Sequence, residues 1–331
     1  MKAPTIDIVN FCNFTCRHCL VATSPKPVYM EKEMFSDLMK QLRNLGFRYA
    51  GITGSGELTL HPQLEDIFLS LAENTIDFEI LTNGFLFKER IFPLIRNSQI
   101  HKRIRLIGFS LDSNMEEKHD RNRKEGSFRK IMEAIGICRL LNIPFYIKTA
   151  VTNANKGELR DILLFTSGLN VHSQSFTFIQ PTRRLIEQGL IPDPEDIYKL
   201  FLQLANWQSV FPRLKVEAFN TANDIFTCNA FFKFGIDEAG NFLLCNNLSN
   251  VGTSTESYKG RECLGNIKEV PLTDLIVRHL NFLPEILKWR FENKERIKKA
   301  PLSLCNWCFF QFGKLDWLKE YPESPWTRYL T

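Results

Sequence analysis

No stretch of the 331-residue chain approaches the roughly 20 consecutive apolar residues of a membrane span. Nor does the N-terminus carry an apolar signal segment, because it runs almost directly into the strand-like Thr5-Ile6-Asp7-Ile8-Val9. Internal repeats and low-complexity tracts are absent, which excludes solenoid and fibrous classes. An excess of one charge is missing too: 42 Lys and Arg against 37 Asp and Glu leave only +5. The densest basic run, Lys288 to Lys299, is broken by Glu292 and Glu295, which face Arg296 and Lys299 one turn on. That pattern is a solvated, ion-paired helix face, and it speaks against nucleic acid as a partner. With no membrane segment and an ordinary globular composition, the expected location is the cytoplasm, where thiols stay reduced.

Cysteine is present in an odd number, nine, with clusters towards both ends of the chain, which argues against a plain disulfide framework. Cys12, Cys16 and Cys19 follow a Cys-x3-Cys-x2-Cys spacing. Three thiolates this close can grip three corners of an iron–sulfur cube and leave the fourth iron open to a ligand. The same spacing would also place small buried residues along one helix face. Polar Asn10, Asn13, Thr15 and Arg17 favour a loop after a short strand. Further on, Cys228 and Cys245 flank a predicted hairpin with Gly240 at its turn, and Cys305-Asn306-Trp307-Cys308 follows. These four sulfurs suffice for a zinc ion or for a 4Fe–4S cluster, and spacing alone leaves both open.

Up to about residue 212 short β-rich runs alternate with amphipathic ones. Strands are expected at Thr5–Val9, Tyr49–Thr53, Phe78–Thr82, Ile104–Leu111, Phe145–Val151 and Ser175–Ile179. Helices are expected at Glu31–Leu45, Gln63–Glu73, Lys88–Arg96, Phe128–Leu141, Glu158–Phe165 and Pro194–Val210. Six such units in series predict parallel strands with helices outside, as an open sheet or part of a barrel. Beyond Pro212 the rhythm changes to strands at Lys215–Phe219 and Phe231–Ile236, a turn at Asp237–Asn241, and a return strand at Phe242–Leu244. A long helical pattern, Leu272 to Lys299, contains Pro284, which predicts a kink or split there.

In their order along the chain, these motifs resemble the radical S-adenosylmethionine (SAM) superfamily. Gly54-Ser55-Gly56-Glu57-Leu58 stands where that family has Gly-Gly-Glu-Pro, with leucine for proline. Leu81-Thr82-Asn83-Gly84 is similar to its Thr-Asn-Gly, and Ser110-Leu111-Asp112 ends the fourth strand. His119-x3-Arg123 then matches the peptide-modifying branch, with Arg121 as a competing arginine. The resemblance implies a partial (β/α)6 TIM-like barrel over residues 1–212 and a small α+β auxiliary-cluster domain over 213–331. By it, Cys12, Cys16 and Cys19 hold a 4Fe–4S cluster with an open site. Gly56 and Glu57 meet the SAM amino group, Ser110 and Arg123 its carboxylate, His18 and Gln180 its adenine, and Asn83 a neighbouring part. Asn155 matches a polar position after strand five. A guanidinium suits a carboxylate because its fork binds both oxygens.

The C-terminal cysteines resemble a twitch domain, the short form of SPASM, which implies that Cys228, Cys245, Cys305 and Cys308 hold one auxiliary 4Fe–4S cluster. Cys263 is then a spare ligand and Cys138 a core residue. Implied with the family are reductive cleavage of SAM, hydrogen abstraction from a peptide or small metabolite by a 5′-deoxyadenosyl radical, and an electron donor such as flavodoxin or ferredoxin. The auxiliary cluster would take the second electron. Sulfatase-maturing relatives carry an Asp base directly after the cysteine of Gly-x4-Cys; here Asn246 stands there, and a neutral amide is no base. The early first strand also leaves no room for an N-terminal leader-binding module. Two other readings predict different behaviour: a zinc-binding nucleic-acid module, and a cluster scaffold without activity. Arg183, Arg184 and Glu187 are candidates for the mouth of the site.

Overall fold

Alternation of Val, Ile and Phe with smaller or polar residues sets which strand faces meet helices and which meet each other. In the computed structural model, which describes residues 3–20, 26–217, 231, 233–250 and 260–330, one ten-stranded sheet runs through the molecule. Its strands are β1 (Thr5–Asp7), β2 (Tyr49–Thr53), β3 (Asp77–Thr82), β4 (Ile104–Ser110) and β5 (Phe145–Val151). The rest are β6 (Ser173–Phe178), β7 (Leu214–Glu217), β8 (Gly235–Ile236), β9 (Asn241–Leu243) and β10 (Cys263–Asn266). Their spatial order is β10-β9-β8-β1-β2-β3-β4-β5-β6-β7.

From β1 to β7 every neighbouring pair is parallel, and helices form each crossover. The parallel sheet therefore has a seventh strand beyond the six expected, since β7 pairs with β6 from Gln174↔Leu214 to Thr177↔Glu217. At the other edge β8 pairs parallel with β1 through Ile6↔Ile236, and β9 and β10 continue antiparallel. The expected hairpin is thus part of the same sheet as the barrel strands. Its turn is held by Asp237, whose carboxylate accepts from the Ala239 and Asn241 amides at 3.0 and 2.8 Å. Cys228 and Phe232 lie outside the described residues, as do Ala218 and Phe219 of the strand expected after Pro212.

Helices cover one face. In the helix Lys32–Asn44 the buried Phe35, Leu38, Met39 and Leu42 follow the i, i+3, i+4, i+7 spacing of a single stripe. They join Ile6, Ile52, Ile80, Phe109 and Ile147 in one core, where each such side chain contributes about 1.5–3 kcal/mol. A second core joins Val151, Phe176 and Phe178 to Trp307 and Trp326 of the C-terminal helices. The helix Leu272–Glu292 passes straight through Pro284 and breaks at Asn293 instead. Pro284 is on the exposed face, where water can satisfy the carbonyl it leaves unbonded.

The other sheet face is polar. Closed parallel barrels fill their interior with branched apolar side chains. Here that face carries Glu79, Ser110, Tyr146, Lys148, Thr177 and Glu217, with the Tyr146 ring lying over the bare Cα of Gly108. Tyr49 donates to Glu79 at 3.1 Å, and Lys148 Nζ is 2.8 Å from Glu217 Oε2. Thr177 Oγ1 donates to that same oxygen at 3.3 Å. Such a lining suits a hydrated, polar guest.

Candidate functional site

Cys12, Cys16 and Cys19 sit on the loop that leaves the C-terminal end of β1, and backbone hydrogen bonds with the loop after β2 and with Asn122 hold it. Gly56 N donates to Val9 O at 3.0 Å, Glu57 N to Phe11 O at 2.9 Å, and Arg17 N to Asn122 O at 3.0 Å. A side chain on Gly56 would come within 2.0 Å of Phe11 O, so this glycine allows the cysteine loop to press against the loop after β2. The Glu57 carboxylate is buried and faces the same loops. Its Oε1 accepts from Thr82 Oγ1 at 2.6 Å, from Thr59 Oγ1 at 2.8 Å and from Thr59 N at 3.2 Å, and its Oε2 from Asn83 N at 2.7 Å. Asn83 in turn donates to Asn13 Oδ1 at 2.9 Å and reaches Cys12 Sγ at 4.0 Å. Glu57 and Asn83 therefore join the ends of β2 and β3 to the cysteine loop.

Asp112, past the end of β4, is the centre that sequence reasoning missed. Its carboxylate accepts from Arg123 Nε at 2.6 Å, from Arg123 Nη2 at 3.1 Å and from Ala150 N at 3.0 Å. His18 Nε2 is 3.5 Å away. Burial alone would push Asp112 up, but the Arg123 charge outweighs it and holds the carboxyl below the usual range. Arg123 also reaches Cys16 Sγ at 4.0 Å, whereas the competing Arg121 is exposed. Burial drives His18 down to about 4, so its ring is neutral. A Ser-Leu-Asp run with an arginine eleven positions on was the available signal for this pair.

Other predicted residues take structural partners. Gln180 donates to Phe178 O at 3.4 Å and accepts from Asn306 of the Cys305–Cys308 run, which ties the end of β6 to that run. Asn155 is buried and donates to Asp112 O at 3.0 Å and Ala150 O at 2.9 Å. Arg184 donates to the carbonyl of Cys19, Arg183 pairs with Glu320, and Glu187 accepts from Tyr321. Ser110 lies on the polar sheet face beside Lys148, its register partner on β5. Lys124 donates to Asn13 O at 3.3 Å and lies 4.5 Å over the Phe85 ring.

The three described cysteines of the second set converge. Cys245, Cys305 and Cys308 line one cavity whose remaining wall includes Leu244, Leu248 and Phe309. Cys305 and Cys308 are on the helix Leu304–Gln311, which sequence reasoning left unassigned. Ser303 starts it with a capping box: its hydroxyl receives Asn306 N, and Asn306 Oδ1 receives Ser303 N at 3.0 Å. Cys263 lies on β10, away from that lining, and Cys138 is a fully buried core thiol pushed up to about 12 by burial.

Asp7 and Asp237 sit side by side at the ends of the parallel pair β1–β8, with Glu238 next to them and the Asn246 side chain against Asp7. Asp7 accepts from Thr53 Oγ1 at 2.8 Å and Ser55 Oγ at 3.3 Å. Burial, and then their neighbours' negative charge, raise Asp7 to about 6 and Glu238 to about 8. The folded chain thus keeps protons that the unfolded chain would release, so this cluster's contribution to stability falls as pH rises through those values. Asp7→Asn removes the titration, and its stability relative to wild type is expected to improve by up to about 3 kcal/mol between pH 4 and pH 8. Denaturant midpoints of both proteins at the two pH values check this; an unchanged difference would contradict it.

Comparison with known proteins bears on this arrangement. Residues 6–166 match the family model described as the radical SAM superfamily. Residues 6–166 are a radical SAM domain. The antilisterial bacteriocin subtilosin biosynthesis protein AlbA of Bacillus subtilis is 27% identical over 177 residues, which are 53% of this chain and 39% of AlbA. An uncharacterized Methanocaldococcus jannaschii protein, MJ0907, is 24% identical over 274 residues, covering 81% of this chain and 90% of that one. Among solved structures, anSMEcpe with bound AdoMet superposes with a TM-score of 0.67 at 16% identity, covering 97% of this chain and 98% of that one. Streptococcus suis SuiB bound to precursor peptide SuiA gives 0.64 at 17% identity, covering 83% of this chain and 65% of SuiB. This chain therefore spans less than two thirds of AlbA and of SuiB. The radical SAM family implies SAM and a 4Fe–4S cluster, and the donor set fits: the Cys12 and Cys16 sulfurs face the donors Asn83 and Arg123, as anionic sulfurs require. Among the described residues no three Cys, His, Asp or Glu gather tightly enough for a single ion, and a cube spreads its thiolates over separate irons. No helix among the described residues is long and apolar enough to cross a membrane.

Proposed function

We propose that the protein is a radical SAM oxidoreductase that modifies a peptide. Cys12, Cys16 and Cys19 would hold the SAM-binding 4Fe–4S cluster, and Cys228, Cys245, Cys305 and Cys308 an auxiliary one. The observation that carries this reading is the locking of the three-cysteine loop by Gly56 and Asn83, just past the ends of β2 and β3, and by Arg123, at the end of the helix Glu116–Asn122 that follows β4. Bound together, these groups supply one-electron chemistry that removes a hydrogen atom from a carbon and stores an electron. This chain's residues do the rest. Glu57 and Asn83 fix the loop, Asp112 orients Arg123 beside Cys16, and Arg184 anchors the Cys19 carbonyl. His18, Ser110 and Gln180 are the further candidates for contacting SAM. In support of the auxiliary cluster, Cys245, Cys305 and Cys308 line one cavity walled largely by apolar side chains. A flavodoxin or ferredoxin is the proposed electron donor.

A peptide is favoured over an apolar metabolite by the polar sheet face. Lys148 and Glu217 offer a cation and a carboxylate that can exchange their pairing for a substrate's charged or amide groups. Lys148→Ala is expected to weaken binding of the peptide about tenfold, or about 1.4 kcal/mol. Titration of labelled peptide into the loaded enzyme measures this, and an unchanged Kd would remove Lys148 from the substrate face.

The deciding experiment is anaerobic reconstitution, reduction, and addition of SAM with a candidate peptide. Formation of 5′-deoxyadenosine together with a loss of mass in the peptide supports the proposal. Zinc in place of iron with salt-dependent nucleic-acid binding, or iron without SAM cleavage, would reject it.

A further inference from the structure

The auxiliary cysteines have a buried cation pointed at them. Arg290, near the end of the helix Leu272–Glu292, is only 1% exposed, and its Nη2 donates to Cys308 Sγ at 3.0 Å. Its guanidinium also lies 5.7 Å from the centre of the Phe231 ring, a wall of the cavity that Cys245, Cys305 and Cys308 share. Sequence reasoning placed Arg290 on the solvated face of a basic helix. Burial instead puts a full positive charge in an apolar environment, against one sulfur. A neutral thiol is a weak acceptor, while a metal-bound sulfur is anionic and accepts a charge-assisted hydrogen bond.

We propose that Arg290 is a positioning residue of the auxiliary site that sets the reduction potential of the cluster held there. This rests on the reading of Cys245, Cys305 and Cys308 as ligands of an auxiliary 4Fe–4S cluster. Reduction adds one negative charge to a cluster. A fixed cation hydrogen-bonded to a ligand sulfur stabilises that added charge, and hydrogen bonds to sulfur with net charge are what tune such potentials. Low local polarity strengthens the effect, because little solvent screens the pair. Phe231 holds the guanidinium from one side, so it cannot swing out to water without giving up that contact.

The test uses the full-length chain with Cys12, Cys16 and Cys19 replaced by alanine, so that only the auxiliary cluster contributes to the spectrum. Iron content and the one-electron midpoint are measured, the latter by electron paramagnetic resonance during an anaerobic redox titration. In this background Arg290→Gln keeps a hydrogen-bond donor but removes the charge. It is expected to retain iron and to shift the oxidised-to-reduced ratio at fixed potential about tenfold towards oxidised, about 59 mV for one electron. Full iron with an unchanged midpoint overturns the proposal. If Arg290→Gln loses its iron, Arg290→Lys decides: recovery of both iron and midpoint supports the role of charge, and recovery of iron without the midpoint rejects it. Failure of the underlying reading is seen separately, as absence of an iron–sulfur cluster in this background with Arg290 intact.

Discussion

Replacing any one of Cys12, Cys16 or Cys19 by alanine is expected to reduce 5′-deoxyadenosine formation to background and to remove about half of the iron, four of eight atoms if both clusters are filled. The fold should survive. None of the three is in either hydrophobic core, and the loop that carries them is held by backbone contacts that alanine leaves in place. Cys138→Ala is the matched control. Its sulfur is fully buried in the larger core, so the loss is packing, about 1 kcal/mol in the usual range for a small truncation, with iron and SAM cleavage intact. Iron assay, circular dichroism and product chromatography on the four proteins distinguish the roles. Turnover by a loop variant at the wild-type rate would dismiss the N-terminal site.

Arg123→Met should be the most damaging single change to stability, costing about 3–5 kcal/mol. Asp112 is 1% exposed, and this substitution removes two of the donors to its carboxylate, at 2.6 and 3.1 Å, together with the charge that offsets its burial. Adding Asp112→Asn should recover part of the loss, because an uncharged group then occupies the hole, so the cycle of single and double variants reports a large coupling. The sign of the pH effect follows. A carboxyl held below its unfolded value stabilises the fold above that value, near pH 4, and loses the contribution as pH drops towards the folded value. Wild type should therefore weaken in acid more steeply than the double variant. A cost for Arg123→Met below about 1 kcal/mol, the level of an exposed pair, would show that the contact is not a buried ion pair. Asp7 works in the opposite sense, so the two acids place opposing slopes on the same stability curve.

The elements legible in the sequence were those with local causes. β2 and β5 have the expected bounds because their alternation and flanking turns are unambiguous, and the helix at Lys32–Asn44 follows its apolar stripe. What stayed hidden depends on distant partners. Gly235–Ile236 is a two-residue strand that has meaning only beside β1, and the pairing of Cys263–Asn266 needs β9 in place. Pro284 misled because a proline's cost depends on which face of the helix it occupies, and that face is set by packing. At the site, the sequence offered candidate residues but not their pairings. Arg123 was expected to meet a ligand, and the chain supplies Asp112 as its partner. Gln180 was expected at a base, and the side chain that donates to it in the folded chain is Asn306.

The zipping of β8 onto β1 has a consequence for biosynthesis. Ile6 leaves the ribosome well ahead of its register partner Ile236, so until that partner emerges the strand bearing the cysteine loop has one unclaimed flank. Bare strand flanks invite pairing with other chains. Metal loading before β8 arrives would meet a half-built pocket, which makes the ordering of maturation steps a property written into this sheet.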